Sequence, residues 1–309
     1  MVNIASVSLA QPLDTIADEL GRSFGEYGFA VVRDHGIAQD LIDRAEAVSK
    51  AFFALPDDAK RAYKIEGGGG ARGYTPFGTE KAKDAEVFDL KEFWHVGRSL
   101  PEGHALTQFM APNVWPTQVE GFRETMSELF HAFETAGGRA LEAIALHLGR
   151  PRDFFAASVT DGNSVMRLLH YPPLGKGAPE GAVRAAGHED INTITLLLGA
   201  EESGLELLTR SGEWHAVDVP PGALVINVGD MLQRQTNGRL RSTTHRVVNP
   251  RGEAAQRARY SMPFFLHFRP DFMIEPLPEC IDADGANPPP PPISAHDFLM
   301  QRLREINLA

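Results

Sequence analysis

The sequence predicts a mainly β protein with flanking helices: a jelly-roll sandwich or small barrel wrapped by N-terminal helices. Three observations carry this reading. After about residue 160, short apolar runs follow one another closely with turn residues between them, a pattern that favours a sandwich or barrel over a parallel α/β sheet. Before that point the apolar residues recur mostly at helical spacing. No internal repeat and no true linker divides the chain.

The elements follow in order. Ile16, Leu20, Phe24 and Tyr27 mark a first helix, and GFAVV (28–32) reads as a strand. Leu41, Ile42, Ala45, Val48, Phe52 and Phe53 form a second helical stripe that Leu55-Pro56 closes. EGGGGARGY (66–74) reads as a loop; the Lys-Ser/Thr that would complete a nucleotide phosphate loop does not follow it. Phe122, Met126, Leu129, Phe130, Phe133, Leu141, Ile144 and Leu148 lie on the buried side of a long helix, which Gly137-Gly138 is expected to interrupt or kink. The strand candidates are VMRLLHY (165–171), INTITLLL (191–198), LELL (205–208), EWHAV (213–217), ALVINV (223–228), TTHRVV (243–248) and RYSMPFFLHF (259–268). Ser211-Gly212, Pro220-Pro221-Gly222 and Asn237-Gly238 supply turns. Pro288 to Pro292 form a stiff spacer before a last helix that Ser294 and Asp297 can cap. The expected organisation is therefore a mainly helical region over 1–160, a barrel over 161–272 and an extension with a final helix over 273–309.

Composition bounds the function. The 309 residues are 43% hydrophobic and 23% charged, enough to bury one large core or two modest ones. A formal charge of −11 argues against a nucleic-acid or anionic-membrane surface. The single cysteine, Cys280, rules out an intrachain disulfide, suits a reducing cytoplasm and reads as a small buried hydrophobe. No signal-like start and no apolar run of spanning length is seen, so the expectation is a soluble, unprocessed cytoplasmic protein. Oligomeric state leaves no trace in the sequence.

The chemistry concentrates in GHEDINTITLLLG (187–199), where a histidine and two acids precede a buried-looking strand. Residues two apart on a strand share a face, so His188 and Asp190 can converge while Glu189 points to solvent or a supporting role. A third ligand is available in His245, 55 residues after Asp190 and across several strands. Two imidazoles and a carboxylate on one face leave half an octahedron open, the arrangement of non-haem Fe(II) oxygenases. Zinc accepts the same donors, although the zinc-protease pattern His-Glu-x-x-His is absent. Arg259 and Ser261, two apart in RARYSMPFF, share a face. A guanidinium inside a barrel needs an anion, and its planar fork suits a carboxylate. Tyr171 can add a phenol donor. A metal triad beside a carboxylate anchor describes a pocket for a small dicarboxylic acid.

The region from Met166 to Phe268 resembles the Fe(II)/2-oxoglutarate-dependent dioxygenases of the isopenicillin N synthase-like family. HED (188–190), SGLELLTRSGEWHAVDVPPGALVINVGDML (203–232), TNGRLRSTTHRVVNP (236–250) and RYSMPFF (259–265) carry the likeness. GFAVVRDHGI (28–37), AFFALPDDAK (51–60) and GYTPFG (73–78) resemble the family's opening domain. The resemblance implies a double-stranded β-helix, with Fe(II) on His188, Asp190 and His245. Arg259 and Ser261 would grip the distal carboxylate of 2-oxoglutarate, and O2 would be reduced with release of succinate and CO2. Leu169 stands where the family often carries Asn, and RGEAAQ (251–256) reads as a lengthened hairpin.

Other polar residues have plainer expectations. His170 should point away from the site, His215 should lie at the surface, and His35 and His267 should be structural. Arg72 and Tyr74 either close over substrate or sit in a solvated loop, and Arg234 and Arg246 are charge partners or surface residues. The alternatives in function are a same-family oxidase that needs no 2-oxoglutarate, an ethylene- and succinate-forming variant, a non-catalytic carboxylate-binding barrel and a zinc hydrolase.

Overall fold

Strand pairing sorts the chain into two facing sheets. The computed structural model describes residues 4–66, 70–80, 87–174, 182–198, 204–282 and 287–305. The larger sheet holds nine strands among the described residues: β1 (Ser6–Ser8), β2 (Phe29–Arg33), β3 (Gly73–Thr75), β4 (Glu92–Gly97), β5 (Val165–Tyr171), β7 (Ile194–Leu198), β10 (Leu224–Val228), β12 (Arg259–Ser261) and β13 (Pro263–Leu266). Its order is β1-β2-β10-β7-β13-β5-β4-β3, with β12 pairing β5. The smaller sheet, in order β6-β11-β8-β9, contains β6 (Ala185–His188), β8 (Leu205–Leu208), β9 (Trp214–Ala216) and β11 (His245–Val247). β14 (Met273–Ile274) and β15 (Ile293–Ser294) form a separate pair. Apart from β1–β2, every pairing is antiparallel. The architecture is the double-stranded β-helix with flanking helices.

Helices α1 (Leu13–Glu26), α2 (Gln39–Phe53), α3 (Asp57–Arg61) and α4 (Phe122–His147) cover one side of the larger sheet, and α5 (Ala156–Val159) follows them. On that side Phe264 stacks on Phe133 at 5.2 Å and meets Phe130 edge-on at 5.0 Å. Contrary to expectation, α4 runs unbroken through Gly137-Gly138. The reason is close approach: a Cβ at Gly137 would lie 2.5 Å from a Leu266 methyl and 3.3 Å from one of Leu196. The missing side chain lets the helix seat on β13 and β7.

Three further expectations need correction, and one turn has a helix beside it. The RYSMPFFLHF run divides at Met262 into β12 and β13, because Pro263 has no N–H to continue the ladder. Residues 251–256 do not form a hairpin, since β11 pairs within the smaller sheet and β12 within the larger; Gly252–Gln256 form a 3₁₀ turn crossing between them. Asn237-Gly238 does form a turn, after a short helix, α6 (Asp230–Gln235), that no apolar stripe announces. Of the glycine-rich stretch, Gly67 to Gly69 lie outside the described residues, while Gly73 and Tyr74 belong to β3. The C-terminal expectation is met: in α7 (Ala295–Glu305) the Asp297 amide donates to Ser294 Oγ at 3.0 Å, and the hydroxyl donates to the Asp297 carboxylate at 2.7 Å. Cys280 is buried and free.

One ionic cluster fixes the helices to the sheet. Lys60 of α3 donates to Glu92 of β4 at 2.8 Å and 3.1 Å, His170 Nδ1 lies 2.6 Å from the same carboxylate, and the Tyr74 hydroxyl donates to it. Burial alone would raise the Glu92 pKa, but the hydrogen bonds from His170, Lys60 and Tyr74 and the Lys60 charge hold it below its ordinary value. The stabilisation is therefore complete above the unfolded-state pKa and is lost as pH falls through the depressed folded value. Lys60→Met should cost about 3 kcal/mol in urea unfolding at pH 7, because it strands a buried carboxylate. Glu92→Gln should flatten the stability curve between about pH 5 and pH 3.

Candidate active site

The two histidines meet because their strands do. His188 ends β6, His245 begins β11, and the two residues are direct cross-strand partners. Their rings lie 4.4 Å apart. Each Nδ1 faces a backbone carbonyl two residues back, at 2.8 Å to Ala186 and 3.1 Å to Thr243. A carbonyl only accepts, so Nδ1 carries the proton and each Nε2 presents its lone pair. His188 Nε2 lies 3.8 Å from Asp190 Oδ1, and His245 Nε2 lies 3.8 Å from Asp190 Oδ2.

Asp190 follows the end of β6 and is held from the opposite sheet. Thr195 of β7 donates to Oδ2 at 2.6 Å, and Asn227 of β10 donates to the same oxygen at 2.8 Å. These two residues are register partners on adjacent strands. Burial would raise the Asp190 pKa, but His245, His188 and the two hydrogen bonds keep it below the ordinary value. Burial and the neighbouring His245 lower His188 to about 4. A neutral imidazole at His188 beside an ionised carboxylate suits the binding of a divalent ion. One donor atom from each of the three side chains lies within 4.8 Å of the other two. The expected convergence is present, and Glu189 does turn away, accepting from the Thr244 hydroxyl.

The second expected group also assembles. Arg259 and Ser261 are buried on β12, and an Arg259 Nη1–H donates to Ser261 Oγ at 3.2 Å. Tyr171 is the register partner of Arg259, and the guanidinium lies 5.2 Å from its ring centre. A second buried guanidinium, that of Arg184, stands 5.8 Å from the same ring centre. Leu169 packs between Phe93 and Tyr171.

The remaining polar residues divide. His35 is structural, within 2.9 Å of the Gly222 carbonyl, and His170 belongs to the helix-side cluster. Arg246 pairs with Glu206 at 2.7 Å and covers Trp214 at 3.9 Å, while Arg234 donates to the Pro291 carbonyl at 2.6 Å. His267 is buried, and burial lowers its pKa to about 4. The solvated-loop reading of Arg72 and Tyr74 is wrong: both are buried, because β3 pairs with β4 and carries them inward.

Sequence reasoning missed the supporting wall. Lys91 pairs with Glu80 at 2.7 Å and Asp89 at 2.8 Å; Arg167 pairs with Glu80 at 3.2 Å and donates to His95 Nε2 at 2.6 Å. A lone cation in VMRLLHY and a lone amide in ALVINV were the available signals for Arg167 and Asn227. Arg184, in a stretch of small residues, had none.

A site of this geometry inside a double-stranded β-helix defines a non-haem metal oxygenase, and the comparisons with known proteins agree. Residues 2–118 match the family described as non-haem dioxygenase in morphine synthesis N-terminal, and residues 162–268 match the 2OG-Fe(II) oxygenase superfamily. A 2-oxoglutarate-Fe(II) type oxidoreductase of Emericella nidulans, hxnY, is 36% identical over 281 residues, covering 88% of this chain and 79% of that protein. The crystal structure of a 2OG-Fe(II) oxygenase family protein from Caulobacter crescentus superposes with a TM-score of 0.91 at 53% identity, covering 99% of this chain and 100% of that one. A full-length Neurospora crassa protein solved in complex with alpha-KG gives a TM-score of 0.86 at 28% identity over 98% of both chains, and it has also been solved with thymine. The chain belongs to the Fe(II)/2-oxoglutarate-dependent oxygenases. It is an oxidoreductase that uses Fe(II), 2-oxoglutarate and O2 on a small molecule, with release of succinate and CO2. No helix among the described residues is long and apolar enough to cross a membrane.

The loop bearing Asp190 leaves no room beside β10. A Cβ on Gly229 would lie 2.1 Å from the Asn192 carbonyl oxygen and 3.0 Å from that of Asp190. Gly229→Ala should therefore lower stability by about 1–3 kcal/mol in urea unfolding, by forcing backbone rather than side chains to move.

Proposed function

We propose that His188, Asp190 and His245 hold the catalytic Fe(II), and that Arg259, Ser261 and Tyr171 receive the distal carboxylate of 2-oxoglutarate. One observation carries the reading: two Nε2 lone pairs and a carboxylate converge within 4.8 Å, with each Nδ1 already committed to a carbonyl. The donor set of two nitrogens and one oxygen fits ferrous iron with open positions left for other ligands. When bound, the iron supplies activation of O2 and the oxidising power for attack on a C–H bond.

The chain's own contribution is positional. The carbonyls of Ala186 and Thr243 fix both imidazole tautomers, and Thr195 and Asn227 orient the carboxylate, as hydrogen bonds around a metal ligand do elsewhere. Arg259 and Ser261 offer a charged, planar donor set on β12, where a buried guanidinium and a hydroxyl can meet both oxygens of a carboxylate. His267 is buried with its pKa lowered to about 4, and Leu169 packs with Phe93 and Tyr171, surroundings that favour exclusion of water.

We read 161–272 as the catalytic barrel, 1–160 as the region packed on it and 273–309 as the closing extension; the matched spans 2–118 and 162–268 support that division. The prime substrate is a small molecule, consistent with the ligands of related structures: thymine in the Neurospora crassa protein and JA in JOX2. A reducing cytoplasm suits the single free cysteine.

Asn227→Leu should weaken Fe(II) binding by about 10–100-fold in anaerobic titration, the usual effect of removing a hydrogen bond to a ligating group. Arg259→Ala should weaken 2-oxoglutarate binding to the Fe(II) protein by about a hundredfold, while Fe(II) affinity stays near the parent value. Unchanged 2-oxoglutarate affinity in that variant would exclude Arg259 as the clamp.

A further inference from the structure

We propose that Arg72 is the anchor for a carboxylate on the prime substrate, so that the protein oxidises a small carboxylic acid; this rests on the reading of the metal site given above. The Arg72 side chain is 4% exposed. One of its nitrogens, Nη1, donates to the Ala71 carbonyl at 2.7 Å. Nε and Nη2 are buried with no hydrogen-bond partner among the described residues. Those two N–H groups form one edge of the guanidinium, the edge that matches the two oxygens of a carboxylate.

Among the described residues, the surroundings leave this edge without a protein partner. The guanidinium lies over the α-carbon of Gly97: a Cβ there would fall 1.9 Å from Arg72 Cζ and 2.1 Å from Nη2. Asn113 clasps Gly97 on both sides, accepting from its N–H at 2.8 Å and donating to its carbonyl at 2.7 Å. The other cations nearby are already matched, Lys91 by Glu80 and Asp89 and Arg167 by Glu80. Burial lowers the Arg72 pKa to about 10. A charge left in that state is costly, and an incoming anion removes the cost.

Register places this edge opposite the metal ligands. Phe29, Asn227, Thr195, Phe265, Val165 and Gly97 form one continuous row across β2, β10, β7, β13, β5 and β4. At one end Phe29 packs on His245 and Asn227 and Thr195 hold Asp190; at the other Gly97 carries Arg72. His267 is buried near enough to both Asp190 and Arg72 to feel their charges. Three inter-strand steps, about 14 Å along the sheet, separate Thr195 from Gly97. A small carboxylic acid is the class of ligand that this separation suits.

The test uses full-length protein loaded with Fe(II) and 2-oxoglutarate under anaerobic conditions. Benzoate, phenylacetate and cyclohexanecarboxylate are each titrated calorimetrically against the matching primary amide. The parent protein should bind at least one acid ten times or more tightly than its amide. Arg72→Gln should erase that preference without changing 2-oxoglutarate affinity. Gly97→Ala keeps the guanidinium but fills its place, and should erase the preference too, which covers the case in which Arg72→Gln fails to fold. The proposal is overturned if the parent prefers no acid, if a folded Arg72→Gln or Gly97→Ala keeps the preference, or if Arg72→Gln loses 2-oxoglutarate instead. Arg259→Ala, titrated alongside with 2-oxoglutarate, reports on the cosubstrate clamp alone, so the two readings fail separately.

Discussion

The structure depends on a single carboxylate being shared between two sheets. Asp190 leaves the smaller sheet just after His188, yet its oxygens are oriented by Thr195 and Asn227 of the larger one. A buried carboxylate needs either donors or a cation, and here Thr195 and Asn227 supply the donors. The requirement propagates outward. β7 and β10 must carry polar side chains on one register row, although their opposite faces are wholly apolar. Gly229 must be glycine for the Asp190 loop to come close enough, and the Asp230 amide then donates to the Asp190 carbonyl at 2.7 Å. The two histidines need no such arrangement, because antiparallel pairing of β6 with β11 brings them together directly.

Charge on the interior wall follows the same rule. Lys91, Arg167, Glu80 and Asp89 neutralise one another, and His95 stays neutral because burial and Arg167 lower its pKa while its Nδ1 lies 2.6 Å from the Gly70 carbonyl. This self-matched group stiffens the wall without attracting ligands. The positions proposed to meet ligands are different in kind: the metal triad, the Arg259–Ser261 pair, and the unmatched edge of Arg72. Leu169 packs with Phe93 and Tyr171, so that position supplies apolar contact.

How much of this was legible in the sequence follows from where each signal resides. The triad was legible because its spacing is local for His188 and Asp190 and because His245 sits in a run with few alternatives. Arg259 and Ser261 were legible because a cation two residues from a hydroxyl in an apolar run demands an explanation. β4 was not, since all six of its residues are buried and Glu92 and His95 break any alternation. α4 was mistaken in one respect because glycine in a helix signals flexibility in isolation, whereas here it signals contact with Leu266. Arg72 was ambiguous because a glycine-rich neighbourhood reads as solvated until its pairing with β4 is known. Pairing between distant strands is what one-dimensional patterns carry least.

Strand pairing also separates chemistry from selectivity along the chain. Every proposed iron and 2-oxoglutarate contact lies between Tyr171 and Ser261, within the segment that matches the oxygenase superfamily. The opposite wall of the pocket, with Arg72, His95 and Gly97, comes from β3 and β4, which join the larger sheet only through β5. Change in that wall can therefore alter what is bound without disturbing the ligands of the metal, since the two are coupled through backbone ladders and not through shared side chains. The helix-side cluster of Lys60, Glu92, Tyr74 and His170 is what holds the wall in register, because Glu92 and Tyr74 belong to β4 and β3 themselves. The wall that carries the proposed substrate anchor is thus braced from the helix side of the sheet, by a buried ion pair.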